Sequence, residues 1–140
     1  MLAAAIIALA APSAQAATVS STFNVNITLN ATCLVSSISD ISLTYTSFQA
    51  GASSSSSPYT VTCTNSLPYT MAVGAASVTD SALNLTYSVT PSAASGTGNG
   101  AAQSYSVAAS IAASQSGTCA TASCSNAAAT NKLQTLTVSF

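Results

Sequence analysis

Large apolar residues recur at alternate positions in short runs along this chain, with Ser, Thr or Asn between them. Phe23, Val25, Ile27 and Leu29 alternate with Asn24, Asn26, Thr28 and Asn30. A period of two predicts a strand with one apolar face. The same pattern returns at Ile41, Leu43 and Tyr45, at Tyr59, Val61 and Cys63, and at Tyr69, Met71 and Val73. It continues through Leu83, Leu85, Tyr87 and Val89, closed by Pro91, then Tyr105, Val107, Ala109 and Ile111. The last run is Leu136, Val138 and Phe140. Between them, Gln49–Pro58 (QAGASSSSSP) predicts a flexible low-complexity connector. Ser92–Gly100, ending GTGNG, predicts a loop on its glycine content. The alanine-rich stretches 108–113 and 127–129 have helix propensity but are neither long nor amphipathic enough to stand as helices. About seven short alternating strands separated by turn signals predict an all-β domain, a β-sandwich.

Composition narrows what such a domain can do. The only charged residues are Asp40, Asp80 and Lys132, and there is no histidine or arginine. A nucleic-acid surface draws its affinity from several Lys or Arg displacing counterions, and one lysine cannot supply that. Enzyme chemistry by proton transfer is short of groups: no serine has a histidine base, and Lys132 is the sole candidate lysine base. Asp40 and Asp80 could form a glycosidase-like carboxylate pair, but isolated aspartates in turn-like settings are more often solvated caps or turn formers. No phosphate loop, dinucleotide fingerprint or metal cluster occurs. The expectation is a non-enzyme with no cofactor and no metal. Solubility rests on hydroxyl and amide groups, since Ser and Thr make up roughly a third of the chain, far above ordinary usage. Such an uncharged surface associates readily, which suits assembly.

The first residues read as a secretory leader. An apolar run from Leu2 to Ala11 leads through Pro12 to the small-x-small pattern Ala14-Gln15-Ala16. The run is too short to span a bilayer and predicts a signal peptide over residues 1–16, although no Lys or Arg precedes it. The mature chain is then expected outside the cytoplasm, with no membrane span. Four cysteines in an oxidising compartment predict disulfides, for which three connectivities exist. Cys119 and Cys124 are close enough in sequence to close on each other, leaving Cys33 with Cys63. A four-thiolate zinc site would show paired C-x₂-C knuckles, which are absent.

In order along residues 18–140 stand the alternating strand Phe23-x-Val25-x-Ile27-x-Leu29, then Cys33, ISLTYTSF, YTVTCTNSLPYTMAV around Cys63, LNLTYSV, and LQTLTVSF at the end. This pattern resembles the spore coat protein U domain family, whose pilus members are subunits of archaic chaperone–usher fimbriae. The resemblance implies an incomplete immunoglobulin-like β-sandwich, residues 31–140, completed by a donated N-terminal strand, residues 17–30. Phe23, Val25, Ile27 and Leu29 would be the donor residues. Leu136, Val138 and Phe140 would lie on the strand that pairs first with a periplasmic chaperone and then with the donor. Cys33 and Cys63 would form the family's disulfide between early strands. The implied partners are identical or related subunits in a head-to-tail polymer, the chaperone and an outer-membrane usher. The implied place is the fimbrium at the cell surface, with a role in adhesion or biofilm. The chain departs from the family in lacking a mid-domain arginine, and in carrying Ala128-Ala129-Thr130-Asn131-Lys132 where a Gly-x-Tyr-x-Asp segment is usual.

The competing expectation is a monomeric secreted carbohydrate-binding or adhesive module, with Tyr45, Tyr59, Tyr69, Tyr87 and Tyr105 stacking on sugars. A spore or cell-coat protein would share the fold. Four of the five tyrosines fall in phase with apolar faces and Tyr105 begins such a run, which favours core positions. Two of the Asn-x-Thr matches, at Asn26 and Asn30, sit on the supposed donor and read as incidental in so Ser/Thr/Asn-rich a chain.

Overall fold

Alternating residues become strands only where a neighbouring backbone accepts them, and here that holds for most of the runs. The computed structural model describes residues 17–140, so the leader expected over residues 1–16 lies outside the described residues. Within them the chain forms eight strands and no helix: β1 (Cys33–Val35), β2 (Ser53–Cys63), β3 (Pro68–Val73), β4 (Ser77–Thr79), β5 (Thr86–Pro91), β6 (Ser95–Thr97), β7 (Ala102–Ile111) and β8 (Leu136–Ser139). Every pairing is antiparallel. One sheet has the order β1-β2-β7-β5-β4 and the other β6-β3-β8. Tyr59, Val61, Cys63, Val89 and Val107 of the first sheet share one core with Tyr69 and Met71 of the second. The domain is all-β, and its two-sheet core agrees with the expected sandwich.

The connector expected over Gln49–Pro58 is corrected: Ser53–Pro58 form the first half of β2, the longest strand. Serine is a weak strand former, so partners decide. Ser53, Ser55 and Ser57 stand opposite Ile111, Ala109 and Val107, all buried, and small side chains fit beside them. Pro58 is tolerated because it shares parity with Thr60, whose N–H and C=O both bond to Ser36 rather than to β7. Its missing donor therefore points away from the β7 ladder.

The loop expected over Ser92–Gly100 contains a short strand, β6. Its glycine serves close approach rather than looseness, since a Cβ on Gly96 would stand 2.5 Å from the Tyr69 ring carbon Cζ and 2.8 Å from the Tyr105 hydroxyl. The expected strand over Leu83–Val89 begins only at Thr86. Asp80 diverts its first residues into a turn, its Oδ1 accepting the N–H groups of Ala82 (2.9 Å) and Leu83 (2.8 Å). Asp80 is thus a turn former as expected, but a buried one. Its Oδ2 accepts from Asn126 (3.1 Å) and ties the long β7–β8 connection to the β4–β5 hairpin.

Of the tyrosines, Tyr59 and Tyr69 are buried and the other three half-buried. Tyr59 donates to Met71 Sδ (3.2 Å), while Tyr69 donates to Gln103 Oε1 (3.0 Å) and shares a 2.7 Å hydrogen bond with Tyr105. Burial above all, then that hydrogen bond, pushes the Tyr69 hydroxyl up to about 12. Burial and the neighbouring Tyr105 raise Tyr59 as well. In the unfolded chain tyrosine titrates near 10. The folded state then holds protons the unfolded state has released, so stability is full below pH 10 and falls as pH rises through about 12. Urea melts from pH 8 to 12 are expected to show this fall, and Tyr69→Phe to flatten it.

Ser57 presents a second test. Its Oγ is buried without a hydrogen-bond partner, a state that costs about 1–3 kcal/mol. Ser57→Ala removes the stranded hydroxyl and is expected to stabilise the domain by about 1 kcal/mol in urea melts.

Candidate strand-exchange site

Residues 17–31 leave the body of the domain. Every one of them is exposed, and none makes a backbone–backbone hydrogen bond among the described residues. The strand expected at Phe23–Leu29 finds no ladder in its own domain. Phe23 is 86%, Val25 72%, Ile27 86% and Leu29 79% exposed. The tail becomes fixed at Thr32, whose C=O accepts from Thr64 N–H (3.0 Å) and whose N–H donates to Thr64 Oγ1 (3.0 Å). Immediately beyond, Cys33 is joined to Cys63, its direct partner across the β1–β2 ladder. The point where the tail departs is therefore held by a disulfide, three Thr32–Thr64 hydrogen bonds and the first rung of the β1–β2 ladder. The second disulfide joins Cys119 to Cys124 in the exposed β7–β8 connection.

At the other end of the chain, Leu136 and Val138 of β8 pack against the core and are half-buried. Phe140 lies one residue past β8, beyond its last rung Thr70–Ser139, and is 61% exposed. Among the described residues β8 pairs only with β3, so its other backbone edge has no ladder partner there. An edge of this kind is a template for another strand.

A second unpaired backbone borders the same core. Ile38, Ile41, Leu43 and Tyr45 are half-buried at nearly alternating positions, and Ile38 and Ile41 pack on the core cluster. Yet residues 37–45 make no backbone–backbone hydrogen bond among the described residues, and the strand expected at Ile41–Tyr45 is not formed. Their backbone is touched at Thr44, whose C=O accepts Ser53 Oγ (2.7 Å). This half-buried stretch therefore runs beside the core with no ladder partner among the described residues. The alternation at Ile41–Tyr45 signalled an extended segment; nothing local signalled that it lacks a neighbour.

Open clefts on the surface of the described residues bring no charged group together. One lies between residues 74–79 and 131–135, another over Ala52, Tyr87 and Gln115, and neither is lined by Asp40, Asp80 or Lys132. Among the described residues no group of three His, Cys, Asp or Glu side chains is placed to hold a metal, and no helix is long and apolar enough to cross a membrane. No protein-family model, curated protein or solved structure matches this chain.

Proposed function

We propose that this protein is a structural subunit of a secreted chaperone–usher pilus that polymerises by donor-strand exchange. In this reading the domain is an incomplete immunoglobulin-like sandwich, and the absent strand belongs beside β8. Phe23, Val25, Ile27 and Leu29 of one subunit fill that place in the next, completing both unpaired edges. The observation that carries it is the pairing of two features among the described residues: an alternating apolar tail that none of them covers, and a core bordered by backbone without ladder partners. Burial of four such side chains is worth very roughly 6–12 kcal/mol, comparable to the 5–15 kcal/mol total of an ordinary domain. A heterologous contact of this type does not close on itself and so propagates.

Before assembly the exposed edge needs cover, which is the role of a periplasmic chaperone, with an outer-membrane usher joining subunits at the cell surface. The paired cysteines suit such an oxidising route. The alternative of a sugar-binding tyrosine platform draws little support, because all five rings are buried or half-buried.

The test uses a chain lacking residues 17–30, oxidised and melted with and without a synthetic Thr18–Asn30 peptide. At a hundred times its Kd the peptide adds about 2.7 kcal/mol, a rise in Tm of roughly 10–15 °C for a domain of this size. A mature chain that stays monomeric and a truncated one that ignores the peptide would overturn the reading.

A further inference from the structure

Outside the tail, the exposed large apolar residues are Leu34, Val35, Phe48, Leu133 and Phe140. Strand directions sort them into two groups. One end of the domain, the tail pole, holds Cys33, Cys63, the start of β3 and the end of β8, since Thr62 pairs with Ala102, Pro68 with Thr97 and Thr70 with Ser139. The opposite, far pole holds the start of β2, the end of β7 and the start of β8, where Ser53 pairs with Ile111 and Val73 with Leu136. Leu34 and Val35, opposite Thr62 and Val61, and Phe140, just after β8, lie toward the tail pole. Phe48, ahead of β2, and Leu133, ahead of β8, lie at the far pole.

Phe48 is held outward against its own preference. Its φ is 63°, a conformation that crowds a bulky side chain. The surrounding bonds enforce it: Phe48 N–H donates to Gln115 C=O (2.8 Å), Ser47 Oγ to Ser116 C=O (2.6 Å), and Ser114 N–H to Gln49 C=O (2.9 Å). An apolar ring presented on an over-determined loop points to a docking role.

The fibre reading, on which this inference rests, says what docks. β8 runs from far pole to tail pole, and every ladder in the fold is antiparallel. A donor pairing antiparallel with β8 runs the other way, so its residue 30 emerges at the recipient's far pole. Only residues 31 and 32 then remain before Cys33 of the donor domain, and the three Cα–Cα steps from residue 30 to Cys33 reach at most about 11 Å. The tail pole of one subunit is thereby brought against the far pole of the next. We propose that Phe48 and Leu133 of the recipient pack against Leu34, Val35 and Phe140 of the donor subunit, an apolar second contact that fixes the angle between neighbours. Asp40 and Lys132 are the exposed charges of the domain, so little like-charge repulsion opposes it.

The mature chain carrying both Phe48→Cys and Leu34→Cys, native disulfides intact, is concentrated until multimers form and treated with a short bismaleimide. A ladder of covalent multimers on denaturing gels is expected. It should be absent from each single variant and from Phe48→Cys with Ser88→Cys, which lies on the outer face of β5. Multimers that form as in the unsubstituted chain but give no ladder overturn the pole-to-pole contact and leave strand exchange standing. Failure of the unsubstituted chain to form multimers, with no response to the Thr18–Asn30 peptide, overturns both.

Discussion

A mature chain carrying Ile27→Asp is expected to keep the melting temperature of its own domain and to lose the ability to join a neighbour. Ile27 is 86% exposed in the chain's own fold, so the substitution touches no packed contact there. On the proposed strand exchange, the same position in a neighbour's groove would exchange a large apolar side chain, worth about 1.5–3 kcal/mol when buried, for a carboxylate with no partner. Together these amount to about 4 kcal/mol, close to a thousand-fold in the equilibrium constant. Titrating the truncated chain with native and Ile27→Asp peptides measures this directly. Asn26→Asp supplies the control, because it adds the same charge on the opposite, polar face of the donor. It is expected to weaken binding far less. Equal losses from the two substitutions would mean that the tail is recognised by its charge balance and not by an apolar face.

Removing the Cys33–Cys63 bond by double alanine substitution is the other large effect. Its 30-residue separation gives about 3.7 kcal/mol by the chain-entropy model. The short Cys119–Cys124 loop gives about 2.2 kcal/mol on the same basis. Position adds to the difference. Cys63 is buried in the core, and β1, only three residues long, depends on that bond to stay registered on β2. The Cys119–Cys124 bond lies in an exposed connection, which Asp80 and Asn126 also tether. Urea melts of the two double variants are expected to rank in this order. The Cys33/Cys63 variant is expected to be largely unfolded at 37 °C, since a small domain of about 5–15 kcal/mol has little stability in reserve once about 3.7 kcal/mol is removed.

Much of the strand content was legible because alternation is a local signal with a physical cause: successive side chains of a strand face opposite sides. Tyr59–Cys63, Tyr69–Val73 and Tyr105–Ile111 all took their expected inward faces. The failures share another cause. Ser53–Pro58 has no apolar signal of its own, and its strand exists because β7 offers a row of buried neighbours. Ile41–Tyr45 has the signal and forms no strand, because among the described residues no backbone hydrogen-bonds to it. Leu83 and Leu85 had the right period, yet a single carboxylate at Asp80 captured the turn first.

By itself the sequence determined the all-β class and the apolar faces that build the core, and it favoured the cysteine pairing that the structure then fixed. Each follows from spacing along one chain, where period and separation constrain what neighbours can do. Only the tertiary structure decided which of those faces find a partner. Among the described residues it left Phe23 to Leu29 exposed, β8 paired on one edge and residues 37–45 without a ladder. The physical reason is that a strand is completed by hydrogen bonds to another backbone, and no pattern of side chains along a strand states whether that backbone is present.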